Sequence, residues 1–263
     1  MILRRLATSI RKQDWFTVLI ETLIVVFGVF LGIQLGNWND DRVLTSSADQ
    51  ARQELIGDLR RDIATFNVRR EFYADVLTAA LNVESQLGAP PNEATEAQWL
   101  LVADVHETGF MWPLQPSGLV YRELKNAGKL RLIADASLQK DLRDYYEDTS
   151  AELGVTIQFE SDFRDNSRRL IDGALHVHFA EKCDDFELAE PSTPDAYDSE
   201  YFTTCAPPDD MSSVSNSYER LLTAPDLADD LRLRISEISQ TLSFLSWMER
   251  QANDLVLELE SGS

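Results

Sequence analysis

Positive charge is scarce in this 263-residue chain, which holds 24 lysine and arginine residues against 45 aspartate and glutamate residues. The formal net charge is therefore −21. Proteins that bind nucleic acid or an anionic membrane surface need clustered cations to neutralise phosphate groups. We therefore expect no nucleic-acid partner, and no docking of the acidic part of the chain on anionic lipid headgroups.

The sequence also lacks recognised catalytic motifs. It contains no nucleophile with its partner residues, no glycine-rich phosphate loop and no zinc signature of known spacing. Acidic pairs are plentiful, but in so acidic a chain their presence identifies no site. We therefore predict that the protein is not an enzyme, and we expect no catalytic residue, no cofactor and no small-molecule ligand.

Convincing strand alternation is absent as well, whereas apolar residues recur at helical spacing along much of the chain. No proline lies between Trp38 and Pro90, and Gly57 is the only glycine between Trp38 and Gly88, which favours one long helix. We therefore predict an all-α fold in which long helices pack antiparallel as a bundle. The helices predicted beyond the membrane cover residues 39–87, 95–106, 119–127, 135–178 and 216–224, and the last begins at Pro225. Spacings that alternate between four and three predict a packed seam in that last helix, formed by Leu231, Ile235, Ile238, Leu242 and Leu245.

The longest apolar run is WFTVLIETLIVVFGVFLGIQLGNW, which covers the 24 residues from Trp15 to Trp38. As a helix rising 1.5 Å per residue it is about 36 Å long, enough to cross a hydrocarbon core of about 30 Å. Glu21 is its only charged residue, and a tryptophan at each end suits the headgroup level of a bilayer. We predict a transmembrane helix over residues 15–38, with Trp15 and Trp38 as membrane anchors, and not the buried helix of a soluble protein.

The charges on either side of this run predict its orientation. Residues 1–14 form a basic tail with four basic residues and one acidic residue, a net +3, whereas the remainder of the chain carries −24. Because basic flanks stay in the cytoplasm, we place the N-terminus inside and residues 39–263 outside. The apolar core of a cleaved signal peptide spans only about 7–15 residues, so we interpret the run as an uncleaved anchor.

Four residues of the predicted span share one face. With about 100° of rotation per residue, Gly28, Gly32 and Gly36 fall within about 60° of Glu21. Small residues four apart let the backbones of two membrane helices approach closely. We therefore predict a helix–helix interface here, with a second copy of the chain or with another membrane protein. The alternative is that these glycines reflect only the general frequency of glycine in membrane helices.

Cys183 and Cys205 are the only cysteines, and both fall in a predicted acidic loop over residues 179–215 on the outer side of the membrane. Thiols in an oxidising compartment usually pair, so we predict an intrachain disulfide. It would close a loop of 21 intervening residues and stabilise the fold by roughly 3 kcal/mol in the chain-entropy model. Two free thiols are the alternative.

The three histidines raise the question of a metal site. His176 and His178 precede Cys183 and Asp184, but residues two apart on a helix point about 200° away from each other. Both histidines would therefore bind one ion only where the helix has ended. Because a metal site needs three or four convergent ligands, we expect none here. His106 stands alone, and we expect it to cap a helix or to pack in the core.

Two sequence blocks carry a family resemblance. The first joins Glu21 in the apolar run to a closing Asn-Trp-Asn-Asp at residues 37–40, behind a basic N-terminus. The second is YRELKNAGKLRLIADASLQKDLRDYY, from Tyr121 to Tyr146, in which Ala127 occupies a position where serine is usual. Together they resemble an uncharacterised family of bacterial single-span membrane proteins. The resemblance implies an anchored helical domain, hence the bacterial inner membrane and the periplasm, and it assigns no functional residue.

Two classes of function fit these features. The first is a scaffold or assembly subunit that binds other proteins through the glycine face of its span and through its outer bundle. The second is a ligand-sensing periplasmic bundle that acts through a membrane partner, which it needs because the short basic tail offers no output domain. Six side chains are candidates for lining a ligand pocket, although we favour core packing for them: Trp99, Met111, Trp112, Tyr121, Tyr145 and Tyr146.

Overall fold

The computed structural model describes residues 15–88, 95–149 apart from 113, 115 and 117, 161–183 and 205–261. These described residues form eight α-helices and no β-strand, which confirms the all-α prediction. The basic tail over residues 1–14 lies outside the described residues. Residues 184–204 of the predicted acidic loop, including Asp184, lie outside them as well.

The helices follow the chain in the order α1 (Trp15–Gly88), α2 (Thr95–Thr108), α3 (Leu119–Asn126), α4 (Ala136–Arg143), α5 (Asp162–Leu170), α6 (Gly173–Lys182), α7 (Ser212–Thr223) and α8 (Leu227–Ser261). A 3₁₀ turn, Leu130–Leu132, separates α3 from α4, and a π-helical turn, Asp144–Thr149, continues directly from α4. Since α6 extends to Lys182 and α7 begins at Ser212, the predicted loop over 179–215 is too long at both ends.

The chain divides into two compact units, residues 1–51 and residues 52–263. Among the described residues, one helical stretch, Leu19–Gly88, is long and apolar enough to cross a membrane. None of its most apolar window is buried within the protein. Length and composition of this kind fit a membrane span or a signal sequence.

In the second unit, α1 contributes one side of the core. Apolar residues spaced three, four or seven apart are buried along it, namely Leu55, Leu59, Phe66, Tyr73, Val76, Ala80 and Val83. Two ion pairs join this helix to α8, Arg60 with Glu260 at 2.6 Å and Arg70 with Glu249. Because the partner numbers fall as the α1 numbers rise, the two helices run antiparallel. Exposed pairs of this kind contribute about 0–1 kcal/mol each, so the apolar stripe dominates the stability.

The shorter helices fill the rest of this core. Helix α2 packs on α5 and α7, α8 packs on α4 and α5, and α6 packs on α7. Several aromatic side chains are fully buried between these elements, including Phe66, Phe72, Phe163 and Phe179. Full burial of such a side chain stabilises the folded state by about 1.5–3 kcal/mol.

The predicted seam of α8 is wrong at two positions. Ile235 and Leu242 are only partly buried, whereas Arg234 and Thr241 are each 4% exposed. The alternation of three and four is kept, but in the register Leu231, Arg234, Ile238, Thr241, Leu245, Met248, Ala252, Leu255 and Leu259. Burial of the two polar side chains is possible because both are hydrogen-bonded. The Thr241 hydroxyl donates to the Glu237 carbonyl at 2.9 Å, and Arg234 reaches α2.

The predicted helix over residues 135–178 begins at an aspartate cap and is interrupted at a second one, while its residues 150–160 lie outside the described residues. The Asp135 carboxylate accepts from the backbone N–H of Leu138 at 2.9 Å and starts α4. After α5, Ile171 is extended, and Asp172 accepts from the N–H of Ala174 at 3.1 Å to start α6. An aspartate side chain that accepts a hydrogen bond from a nearby backbone N–H competes with the helical hydrogen bonds, and so favours the start of a new helix. The spacing of apolar residues carries no information about this competition.

The predicted stop of α3 at Gly128 is confirmed. Its φ of +64° is left-handed, its N–H donates to the Lys125 carbonyl, and the N–H of Lys129 donates to the Leu124 carbonyl. This is a Schellman motif, in which glycine takes the left-handed position without a Cβ penalty. The turn brings the 3₁₀ turn against both α3 and α4, and so helps to place Tyr121 near the π-helical turn.

Candidate functional site

The glycine stripe of the span is open in the structure. A Cβ built on Gly28, Gly32 or Gly36 has no described heavy atom within 4 Å beyond the helix's own backbone. Glu21 lies on the same helix and is exposed, and Trp38 is 65% exposed. Larger side chains on this stripe would therefore cause no clash within the described part of the chain. The interface itself stays a prediction.

The predicted disulfide joins Cys183 to Cys205, which confirms the pairing within one chain. Cys183 is the C-terminal cap of α6, and its N–H donates to the Phe179 carbonyl at 2.8 Å. Its Cα lies 5.1 Å from that of Cys205, a separation typical of disulfides. The bridge therefore ties the end of α6 to the segment that leads into α7.

The two neighbouring histidines of α6 have separate environments. His178 Nε2 is 2.9 Å from the carbonyl oxygen of Ala206, next to the disulfide. His176 Nε2 is 2.9 Å from the carbonyl oxygen of Arg168. The helix continues through both residues, so their side chains point in different directions. The sequence analysis grouped His178 with His176 and Cys183. In the structure the side chains near His178 are those of Cys183 and Cys205, and His176 is not among them.

The remaining histidine packs within an aromatic cluster. The ring of His106 stacks on Phe179 with centroids 3.9 Å apart and meets Phe110 edge-on at 5.0 Å. Phe179 also stacks on Trp99 at 5.4 Å. The Trp99 indole N–H donates to the Cys205 carbonyl at 3.2 Å, which links this cluster to the disulfide.

The six side chains considered for a ligand pocket separate into different places. Trp99 belongs to the His106 cluster, whereas Trp112 contacts Phe72 edge-on at 5.3 Å and lies under the Arg69 guanidinium. Tyr121, Tyr145 and Tyr146 form a third group, with Tyr146 stacked on Tyr121 at 4.9 Å. Trp99, Trp112 and the three tyrosines therefore belong to three separate groups, which does not favour one common pocket.

The tyrosine group rests on two buried carboxylates of α1. Asp58 is 1% exposed and Asp62 is 6% exposed. The Tyr145 hydroxyl donates to Asp62 Oδ2 at 3.0 Å, and the backbone N–H of Val120 donates to Asp58 Oδ2 at 3.3 Å. Arg61 forms an ion pair with Asp58. The acidic pair is therefore held by donors from α3 and from the π-helical turn.

Burial and charge both keep these tyrosines protonated. The pKa of Tyr145 is raised well above its usual range, first by burial and then by the Asp62 carboxylate. The pKa of Tyr121 is likewise raised by burial and by its hydrogen bond to Glu147 Oε1, at 2.9 Å. Lys125 contacts the same Glu147 carboxylate. The hydrogen bonds from Lys125 and from Tyr121 hold the pKa of Glu147 below its ordinary value. The cluster is therefore a set of hydroxyl donors, suited to fixing α3 and the π-helical turn on α1.

Sequence reasoning missed the two carboxylates, although a signal for them exists. Asp58 and Asp62 occupy the same helical face as Leu55, Leu59 and Phe66, at spacings of three and four. An acidic residue on the apolar face of a helix needs a buried partner. That position, and not the number of acidic residues, distinguishes this pair from the others in the chain.

An open groove of about 470 Å³ runs along α8 beside Phe244 and Trp247, with Ser236, Ser239, Gln240 and Ser243 as its other lining residues. All of these residues belong to one helix. Sites that bind small molecules bury most of the ligand surface between several walls. The groove therefore does not favour the ligand-sensing function over the scaffold.

Comparisons with family models, with curated proteins and with solved structures find no match for this chain. What the fold and the site define is a class: an all-α protein with one long apolar N-terminal helix and an intrachain disulfide.

Proposed function

We propose that the protein is a scaffold or assembly subunit, anchored in the bacterial inner membrane by α1 and carrying a periplasmic helical domain. It binds other proteins through the glycine face of its span and through its outer bundle. The disulfide supports the periplasmic location, since such bonds persist in oxidising compartments. The basic tail supports a cytoplasmic N-terminus.

The observation that carries the proposal is the exposure of the apolar half of α1. From Leu19 to Leu44 its large apolar side chains are 40–65% exposed. An exposed apolar surface of this extent marks a membrane or protein contact, because soluble proteins rarely leave one uncovered. Lipid covers most of such a helix, and the open glycine stripe admits a second helix at close range.

The topology is tested with a reporter enzyme that is active only in the periplasm. Fused after Ser263, it is expected to be active, because the basic tail retains the N-terminus in the cytoplasm. The matched control is the same reporter fused after Asp14, which is expected to be inactive. An inactive fusion after Ser263, present at a normal level in the membranes, would reverse the orientation. Release of a shortened protein, which has lost its N-terminal apolar run, by an alkaline wash of the membranes would show a cleaved signal in place of an anchor.

The interface is tested with Gly32→Leu, which places a large side chain on the stripe. The variant is expected to lose the helix–helix complex, because leucine holds two backbones apart where glycine lets them touch. Gly32→Leu is not expected to disturb the fold itself, because a Cβ at Gly32 has no described heavy atom within 4 Å beyond the helix's own backbone. Crosslinking in membranes through single cysteines along residues 21–39 measures the loss. Crosslinks are expected to peak at positions 28, 32 and 36.

Val26→Leu is the matched control, because residue 26 lies about 140° from Glu21 by helical rotation, away from the stripe. It is expected to leave the crosslinks unchanged. Glu21→Gln keeps the shape of the carboxylate but removes its charge, and so measures any charge-assisted bond to the partner helix. Uniform crosslinking along the span, or wild-type complexes in Gly32→Leu, would contradict the proposed interface.

A further inference from the structure

Three metal-binding side chains converge where α6 ends. His178, Cys183 and Cys205 each place one ligand atom within 4.8 Å of the other two. All three residues are half-buried, so they are held by the fold and still reachable from solvent. His176, two residues earlier on the same helix, is not part of this group and contacts the Arg168 carbonyl instead.

The surroundings of His178 select which ring nitrogen is free to bind. A carbonyl oxygen only accepts hydrogen bonds, so the contact between His178 Nε2 and the Ala206 carbonyl places the ring proton on Nε2. The lone pair is then on Nδ1. Histidines that bind metals commonly donate their other ring N–H to a backbone carbonyl in this way, which fixes the ring and its tautomer.

A hydrogen bond and a helix cap hold the two cysteines in place. The Trp99 indole N–H donates to the Cys205 carbonyl at 3.2 Å, and the same indole meets the His178 ring edge-on at 5.7 Å. Cys183 is fixed as the C-terminal cap of α6. With their Cα atoms 5.1 Å apart, both sulfurs reach a common point by side-chain rotation.

We propose that reduction of the disulfide creates a Cys₂His site for a thiophilic metal ion such as Zn²⁺. A dithiol reductant supplies two electrons and two protons: its thiols form a disulfide, and Cys183 and Cys205 become thiols. Zn²⁺ then displaces one proton from each thiol and binds two thiolates and His178 Nδ1. Thiolate and imidazole donors suit Zn²⁺, and three protein ligands leave the fourth position of its tetrahedron to water.

The metal and the disulfide exclude each other at this site. When a disulfide oxidant removes two electrons from the thiolates, the sulfur–sulfur bond forms and the ion leaves. Either state joins residue 183 to residue 205, so the end of α6 stays tied to the segment before α7. The site thus crosslinks the chain in two forms, as a disulfide under oxidising conditions and as a metal site under reducing conditions. This inference does not depend on the proposed scaffold function.

The test uses the full-length protein in detergent, reduced with a phosphine that is then removed without air. Titration with Co²⁺ is expected to give one ion per chain, with thiolate-to-cobalt charge transfer and the visible bands of a tetrahedral ion. Zn²⁺ is expected to displace it. The oxidised protein is expected to bind none, because both sulfurs are occupied.

Two histidine variants provide the matched comparison, and neither alters the cysteines. His178→Ala is expected to weaken binding by the reduced protein at least tenfold, whereas His176→Ala, two residues away, leaves it unchanged. Exchange of both cysteines for serine abolishes the charge-transfer band. Failure of the reduced wild type to bind cobalt one to one would overturn the site. Equal affinity in His178→Ala and wild type would overturn it too, since the ion would then bind the thiolates alone.

Discussion

Arg234→Met is expected to lower the free energy of unfolding by about 3 kcal/mol. The guanidinium is buried, with Nε donating to the Thr108 carbonyl at 3.0 Å and Nη2 donating to the Phe110 carbonyl at 2.7 Å. The Thr108 carbonyl ends α2 and the Phe110 carbonyl lies two residues beyond it, so the cation also meets the negative end of the helix dipole. Methionine fills similar space but donates nothing. Each carbonyl then loses a donor in a site that water does not easily reach.

The change is measured by urea unfolding of the full-length protein in detergent, followed by tryptophan fluorescence. Arg232→Met is the matched control on the same helix, because Arg232 is exposed and pairs with Asp229 one turn earlier. It is expected to change the unfolding free energy by less than about 0.5 kcal/mol. An Arg234→Met midpoint equal to that of the wild type would show that the buried guanidinium does not stabilise the bundle.

Asp104→Asn is expected to stabilise the protein by about 2 kcal/mol at pH 7 and by almost nothing at pH 4. Burial raises the pKa of the Asp104 carboxyl from the ordinary 3.8 to about 6, although hydrogen bonds from Asn82 and Gln86 act in the opposite direction. A shift of about two pKa units corresponds to about 3 kcal/mol, which we reduce for the partial exposure of the group.

The direction of the pH dependence follows from whether the folded or the unfolded state holds the Asp104 proton more tightly. Between about pH 4 and pH 6 the folded protein binds the Asp104 proton more tightly than the unfolded chain does. The contribution of this group to stability therefore falls as the pH rises through that window. The asparagine variant has no such titration, so its advantage over the wild type grows with pH.

The readout is the difference in urea midpoint between wild type and variant at each pH, which cancels the titrations that both proteins share. Asp254→Asn removes the same charge at an exposed position of α8 and serves as the matched control. A flat difference for Asp104→Asn would contradict the raised pKa.

Local patterns were sufficient for much of the fold. The helical spacing of apolar residues predicts the all-α fold, and the proline-free stretch after Trp38 predicts a helix over residues 39–87, which ends one residue before the end of α1 at Gly88. Gly128 marks the end of α3 because a left-handed backbone position selects glycine. The two cysteines predict their own pairing. The first three of these predictions depend on residues that are close in sequence. The fourth depends on the presence of just two cysteines, which leaves each with one possible partner within the chain.

The polar contacts depended on tertiary structure. Arg234 enters the seam of α8 because two carbonyls more than 120 positions earlier accept its hydrogen bonds. Asp62 is buried beneath Tyr145, and His178 lies beside Cys205, which is distant from it in the sequence. A buried polar group is stable only where donors and acceptors meet it in space. Periodicity along the chain determines which face of a helix is buried, and only the packing of distant segments determines what that face meets.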